Sequence, residues 1–190
     1  MATKPGERKA QILQTLAEML EDPKGEKITT ALLAAKVDVS EAALYRHFAS
    51  KAQMFEGLIE FIEATVFSLI NKIMAEETSG IKQLEAVMAM LLGFAKKNPG
   101  MTRVLIGDAL VHESDRLQAR INQLHDRLEA TLRQSLRLAA SADEIPNDTD
   151  ATSKANVLLC YVVGRWHQFA KSGFKRSPTE FWPAQFNELL

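Results

Sequence analysis

Apolar residues recur along nearly the whole chain at intervals of three and four, the period of a helix with one face turned inward. Nowhere do they keep the two-residue alternation of a half-buried strand. Clusters of Gly, Pro, Ser, Asn and Asp interrupt the pattern at 22–25, 79–80, 98–100, 141–150 and 172–178. The spacing predicts an all-α protein of about nine helices.

The first helix, near 6–20, carries Ile12, Leu13, Leu16, Met19 and Leu20 on one broad face. The stretch TTALLAAKVDVSEAALYRHF at 29–48 then reads as two short helices and a tight turn. Thr30 is expected to cap a helix over 31–36, with Leu33, Ala34 and Val37 facing inward. The pattern breaks at 36–39. Ser40 is a strong N-cap, Glu41 suits the positive end of the next helix, and Leu44 and Phe48, four apart, form its buried stripe. Its other side presents Glu41, Ala42, Tyr45 and Arg46.

Ser50-Lys51-Ala52-Gln53 has the form of a capping box opening a long fourth helix, whose apolar series is Phe55, Leu58, Ile59, Ile62, Val66, Leu69, Ile70 and Ile73. This helix is expected to link a small head to a larger body. The fifth, near 81–98, contains AVMAMLLGF, is apolar over most of its circumference, and ends at Asn98-Pro99-Gly100. A short sixth segment lies near 101–109. The seventh helix, near 114–138, buries Leu117, Ile121, Leu124, Leu128 and Leu132 and wets Arg116, Arg120, Arg127, Arg133 and Arg137, a solvating face rather than a phosphate track. The eighth, near 151–172, holds Val157, Leu158, Tyr161, Val162, Trp166 and Phe169, and a ninth falls within 179–190. The last two expose more apolar surface than one chain hides, which points to a homodimer through the C-terminal helices.

Composition narrows the class. The chain has 190 residues, 46% of them hydrophobic, enough for one domain or for a head on a body. No apolar run reaches membrane-spanning length and no signal peptide is legible, so a cytoplasmic location and no membrane contact are expected. The single Cys160, in an apolar segment, is expected to pack in the core. Met74, Met88, Met90 and Met101 read as core filler. Asp108 and His112 stand four apart beside Glu113 and Asp115, but no further His or Cys lies at ligand spacing, and His125 and His167 are isolated. With no nucleophile elbow, phosphate-binding glycine loop or singled-out carboxylate pair, the sequence offers no catalytic or metal site, no cofactor, and no sign of an enzyme.

Formal net charge is −1 and the first fifty residues are close to neutral, so overall charge lends no support to nucleic-acid binding. Local placement does. Small residues at the start of the second motif helix let it approach base edges, while a phenol, a guanidinium and an imidazole reach phosphates or bases. The candidate DNA-contacting set is Thr29, Thr30, Ser40, Glu41, Ala42, Ala43, Tyr45, Arg46, His47 and Lys51, with Lys4, Arg8 and Lys9 as further cations. So few charges predict modest nonspecific affinity and a shallow dependence on salt.

From 28 to 51 the chain resembles the N-terminal domain of TetR-family DNA-binding proteins, with Asp38 where the turn usually has Gly. The resemblance implies a helix-turn-helix DNA-binding domain at 1–50, a helical dimerisation and partner-binding domain at 51–190, and double-stranded DNA with palindromic sites as ligand. Over roughly 9–182, outside the polar loop, the segments GLIEFIE, LLGFAKKNPGMTRVLIGDAL, ESDRLQARINQLHDRLEATLRQSLR and FKRSPTEFW also look like the nucleoid occlusion factors of that family. That implies a nucleoid-associated dimer which, when DNA-bound, antagonises ring assembly by the division protein FtsZ. The implied partner groove lies between the fourth and fifth helices, with Phe61, Gly93, Lys97 and Asn98 as candidate contacts. Gly93 in a helix interior suggests close approach of another group, with packing of a neighbouring helix an equal alternative to a partner. Ala49 stands where a Pro is usual and Leu69 where a basic residue would help the partner. The alternative implied by the wider family is a transcriptional repressor released by a small-molecule inducer.

Overall fold

The computed structural model describes residues 5–22 and 28–190. Lys4 and, apart from Asp22, the expected break at 22–25 lie outside them. Every regular element among the described residues is helical: α1 Pro5–Met19, α2 Thr30–Val37, α3 Glu41–Tyr45, α4 Lys51–Glu76, α5 Gly80–Lys97, α6 Pro99–Leu105, a 3₁₀ turn Asp108–Leu110, α7 Asp115–Ser141, α8 Ala151–Lys171 and α9 Trp182–Leu189. The Asn98-Pro99-Gly100 sequence does more than stop a helix. Pro99 also opens α6 at the position where its missing N–H costs nothing.

The chain divides into two compact units, one of residues up to Ile62 together with Asn98–Ile121, the other of Glu63–Lys97 together with Asn122–Leu190. In the first unit, Ile12, Leu16, Ala17 and Leu20 of α1 join Leu33, Ala34, Val37, Leu44 and Phe48 in the buried core. Each fully buried large aliphatic side chain contributes about 1.5–3 kcal/mol of transfer free energy. Leu13 and Met19, on the margin of that face, are only half-buried. Helix α6 belongs to this unit because Gly100 leaves no room for a Cβ against the Ala17 carbonyl. Arg103 fastens it further, donating to the carbonyls of Leu20 and Asp22, both at 3.3 Å, and pairing with Asp108 at 2.8 Å.

The second unit packs around Trp166, fully buried, whose indole N–H donates to the Leu91 carbonyl at 3.2 Å. Around it lie Leu84, Met88, Leu91 and Leu92 of α5, Leu124, Leu128 and Leu132 of α7, and Leu158 and Val162 of α8, all buried. One polar pair crosses this core: Ser135 Oγ lies 3.0 Å from Gln83 Oε1, and the Gln83 amide donates to the Glu77 carbonyl at 2.8 Å. Both partners are therefore satisfied, the condition for keeping polar atoms inside. Helix α9 is held to α8 by the Tyr161 hydroxyl, which donates to Gln185 Oε1 at 2.7 Å, and by the Tyr161 ring, tilted 40° against that of Trp182 with centroids 6.0 Å apart. Burial raises the Tyr161 phenol above its ordinary value, and Arg165 nearby offsets part of that rise. The α8–α9 connection is gathered by Arg165, which donates to the carbonyls of Ser177, Pro178 and Glu180.

Three expectations about the body are corrected. Leu69, placed in the apolar series of α4, is 40% exposed. Cys160 is exposed rather than packed, because it shares a face of α8 with Val157, Gly164 and His167, all turned away from the core. Of the four methionines read as filler, only Met88 is fully buried.

Candidate nucleic-acid interface

Local chemistry builds the helix-turn-helix. Thr29, extended at φ −102°, caps α2 by accepting the Leu32 amide on its hydroxyl at 3.2 Å. The expected cap, Thr30, is instead the first helical residue, and its hydroxyl is used elsewhere. Asp38 ends α2 in the left-handed region, φ 57° and ψ 53°, and the amides of Asp38 and Val39 close onto the carbonyls of Ala35 and Ala34. The turn therefore forms with Asp in the place usual for Gly. Ser40 caps α3, accepting the Ala43 amide at 3.1 Å. Ser50 in turn accepts the Gln53 amide at 3.2 Å, and Gln53 reaches back to the Ala49 amide at 2.9 Å, one residue earlier than a capping box prescribes.

Regular helix in α3 stops at Tyr45, short of the Phe48 that its expected stripe included. Arg46 remains near-helical, φ −68° and ψ −24°, and the amides of His47 and Phe48 both turn back to the Leu44 carbonyl. Leu44 and Phe48 are buried, as their spacing predicts. Glu41, Ala42, Tyr45 and Arg46 are exposed, with Ala43 and His47 half-exposed between them. The two motif helices are joined across this face. The Thr30 hydroxyl donates to Glu41 Oε2 at 2.7 Å and accepts from the Tyr45 hydroxyl at 3.4 Å. A phenol, a carboxylate and a guanidinium thus share one open surface beside the small side chains Ala42 and Ala43, an arrangement able to donate to phosphates and to meet base edges.

Lys51, also among the candidate contacts, already has a partner. Its ammonium is ion-paired with the Glu113 carboxylate, at side-chain exposures of 22% and 13%, and lies 5.6 Å from the centroid of the Phe55 ring. Arg116 pairs with Glu56 at 2.9 Å, a second link from the start of α7 to the opening turns of α4. Asp108 and Glu113, weighed above as metal ligands, are thus engaged by Arg103 and Lys51. Lys9 stands over the Phe48 ring at 5.6 Å. Nothing in the local pattern flags Glu113 as the partner of Lys51, because 62 residues separate them.

Of the partner candidates, Phe61 and Asn98 line a groove of about 540 Å³ in the first unit, with Leu13, Ala17, Leu58 and Met101 as its apolar floor and Glu18 and Glu21 at its rim. Phe61 is half exposed. Gly93 and Lys97 lie on α5 in the second unit, Lys97 exposed. A Cβ added at Gly93 would meet nothing within 4 Å, so no neighbouring helix accounts for that glycine. No helix among the described residues is long and apolar enough to cross a membrane.

Comparison with known proteins agrees with this architecture. Residues 12–58 match the family described as bacterial regulatory proteins, tetR family, and residues 78–190 match the SlmA-like family described as Tetracyclin repressor-like, C-terminal domain. The chain is 54% identical over 187 residues to the nucleoid occlusion factor SlmA of Alteromonas mediterranea, covering 98% of this chain and 94% of that protein. It is 50% identical over 189 residues to the protein of the same name from Idiomarina loihiensis, covering 100% and 96%. Among solved structures, a TetR transcription regulator from Haloarcula marismortui superposes with a TM-score of 0.82 at 16% identity, covering 97% of this chain and 96% of that one, a likeness of fold. The chain belongs to the TetR family of bacterial regulatory proteins and, within it, to the SlmA group.

Proposed function

We propose that this protein is a nucleoid occlusion factor: a homodimer that binds palindromic chromosomal sites and, while bound, antagonises FtsZ ring assembly over the nucleoid. The observation that carries this reading is identity at about half of all positions, over nearly the full length of both chains, with proteins named for that role. The helix-turn-helix segment at 1–50 makes the DNA contact, through Thr29, Thr30, Ser40, Glu41, Ala42, Ala43, Tyr45, Arg46 and His47. Residues 51–190 supply dimer pairing and the partner contact. Val157, Cys160, Gly164 and His167 form an open stripe along α8, which suits pairing with the same stripe of a second copy. Phe61, Gly93, Lys97 and Asn98 are the FtsZ-facing candidates. The action is that of a regulator in the cytoplasm at the nucleoid, without catalysis or cofactor.

Mapping bound sites across the chromosome tests the reading together with co-sedimentation of FtsZ in the presence and absence of a recovered duplex. Many dispersed sites and duplex-dependent co-sedimentation are expected. Sites confined to one promoter, released by a small molecule, would establish the inducer-controlled repressor instead. Arg46→Ala and Tyr45→Ala should each weaken binding to a recovered site by roughly tenfold, the scale of one lost base or phosphate contact, with helical content and dimerisation retained. Unchanged affinity in both would remove α3 from the interface.

A further inference from the structure

Lys51 stands one residue past the Ser50 cap of α4, immediately after the helix-turn-helix. An ammonium in that place, beside a helix start and next to a DNA-reading motif, is well situated to meet a phosphate. Instead it is bound to Glu113, and both side chains are largely covered. Carboxylate and phosphate oxygens are alternative partners for the same ammonium. We propose that Glu113 is an internal stand-in for a DNA phosphate, occupying Lys51 and holding down the sequence-independent part of DNA affinity. This rests on the reading of α3 as the DNA-contacting helix.

The energetics favour the internal pair. Screening by salt is weak for partly buried charges, so the Lys51–Glu113 pair persists at ionic strengths that dissolve exposed ones. For a phosphate to capture Lys51, Glu113 must be left mostly covered and without its counter-charge, an arrangement far more costly than separating surface ions. The Arg116–Glu56 pair holds the same two segments together, which keeps Glu113 in place against α4. Lys51 therefore releases no counterion on binding. A larger share of affinity then falls on Tyr45, Arg46 and their neighbours, which meet base edges as well as phosphates. For a protein that must find dispersed sites among a great excess of competing duplex, withdrawing one cation raises the ratio of specific to nonspecific binding.

The test is a salt series, at constant pH, of the full-length protein on a random-sequence 30-base-pair duplex and on a site recovered from the chromosome. Glu113→Gln removes the competing charge and leaves the shape. It should bind the random duplex several-fold more tightly at moderate salt, steepen the log–log salt dependence by about 0.9, the increment of one added phosphate contact, and narrow the gap between specific and random sites. Adding Lys51→Gln to Glu113→Gln should return slope and affinity to the parent values. An unchanged slope in folded Glu113→Gln overturns the proposal. So does a double variant whose slope falls below the parent's by about 0.9, since Lys51 would then already have been on a phosphate. The double variant preserves a neutral, hydrogen-bonding pair and keeps the proposal open to refutation even if the single variant does not fold. Tyr45→Ala and Arg46→Ala run alongside: no loss in either indicts the DNA-binding reading itself, whereas normal losses with an unmoved Glu113→Gln slope refute only the role of Glu113.

Discussion

Asp38 shows how one residue holds the motif's geometry. A left-handed backbone costs most L-residues about 1–2 kcal/mol, and less for Asp, whose short polar side chain tolerates it. Glycine would relieve that strain but lose more backbone entropy on folding, a term of roughly 0.5–1 kcal/mol. The two effects nearly cancel. Asp38→Gly should therefore leave urea-denaturation stability within about 0.5 kcal/mol of the parent, while Asp38→Val, β-branched at φ 57°, should cost about 1–2 kcal/mol. At this scale the turn and the Ser40 cap were legible, because each depends on neighbours close in sequence. The use of Thr29 rather than Thr30 as cap was not, since adjacent threonines offer the same chemistry; in the fold the Thr30 hydroxyl goes to Glu41. The fate of Lys51 was illegible for a different reason: its partner, 62 residues on, arrives from the loop that precedes α7.

Helices are punctuated by glycines with opposite meanings. At Gly80 a Cβ would fall on backbone atoms of Ser135 and Ala139, so α5 begins in direct contact with α7. At Gly93 there is open space on the same helix. Gly80→Ala should destabilise by about 1–3 kcal/mol through overpacking. Gly93→Ala should stabilise by up to about 1 kcal/mol through helix propensity, read by thermal melting; if α5 also faces FtsZ, the same substitution should weaken co-sedimentation despite the firmer fold. Sequence spacing located α4, α5, α7 and α8 to within a few residues, because a long amphipathic series averages over many positions. It misassigned Leu69 and Cys160, which sit where an apolar residue fits the period but which stay exposed among the described residues.

At the scale of the molecule, those exposed positions bear on assembly. Val157 is 51% exposed and Phe181 62%, a surface that a lone subunit leaves in water. Val157→Arg should shift sedimentation velocity toward the monomer and lower affinity for a palindromic duplex, while helical content stays at the parent level. A sedimentation profile identical to the parent would exclude the α8 stripe from pairing. The fold class could be inferred from periodicity alone, whereas the grouping of α6 and the start of α7 with α1 and the opening of α4 depends on Gly100, Arg103 and the Lys51–Glu113 and Arg116–Glu56 pairs, contacts that join residues far apart in the chain.

The Thr30 hydroxyl, by bridging Glu41 and Tyr45, arranges these side chains before any duplex arrives. Groups already held in place forfeit little rotational freedom on contact, a cost of about 0.5–1.5 kcal/mol for each mobile side chain that must be stilled. Loosening that bridge with Thr30→Val would therefore be felt mainly as a shorter residence time on DNA.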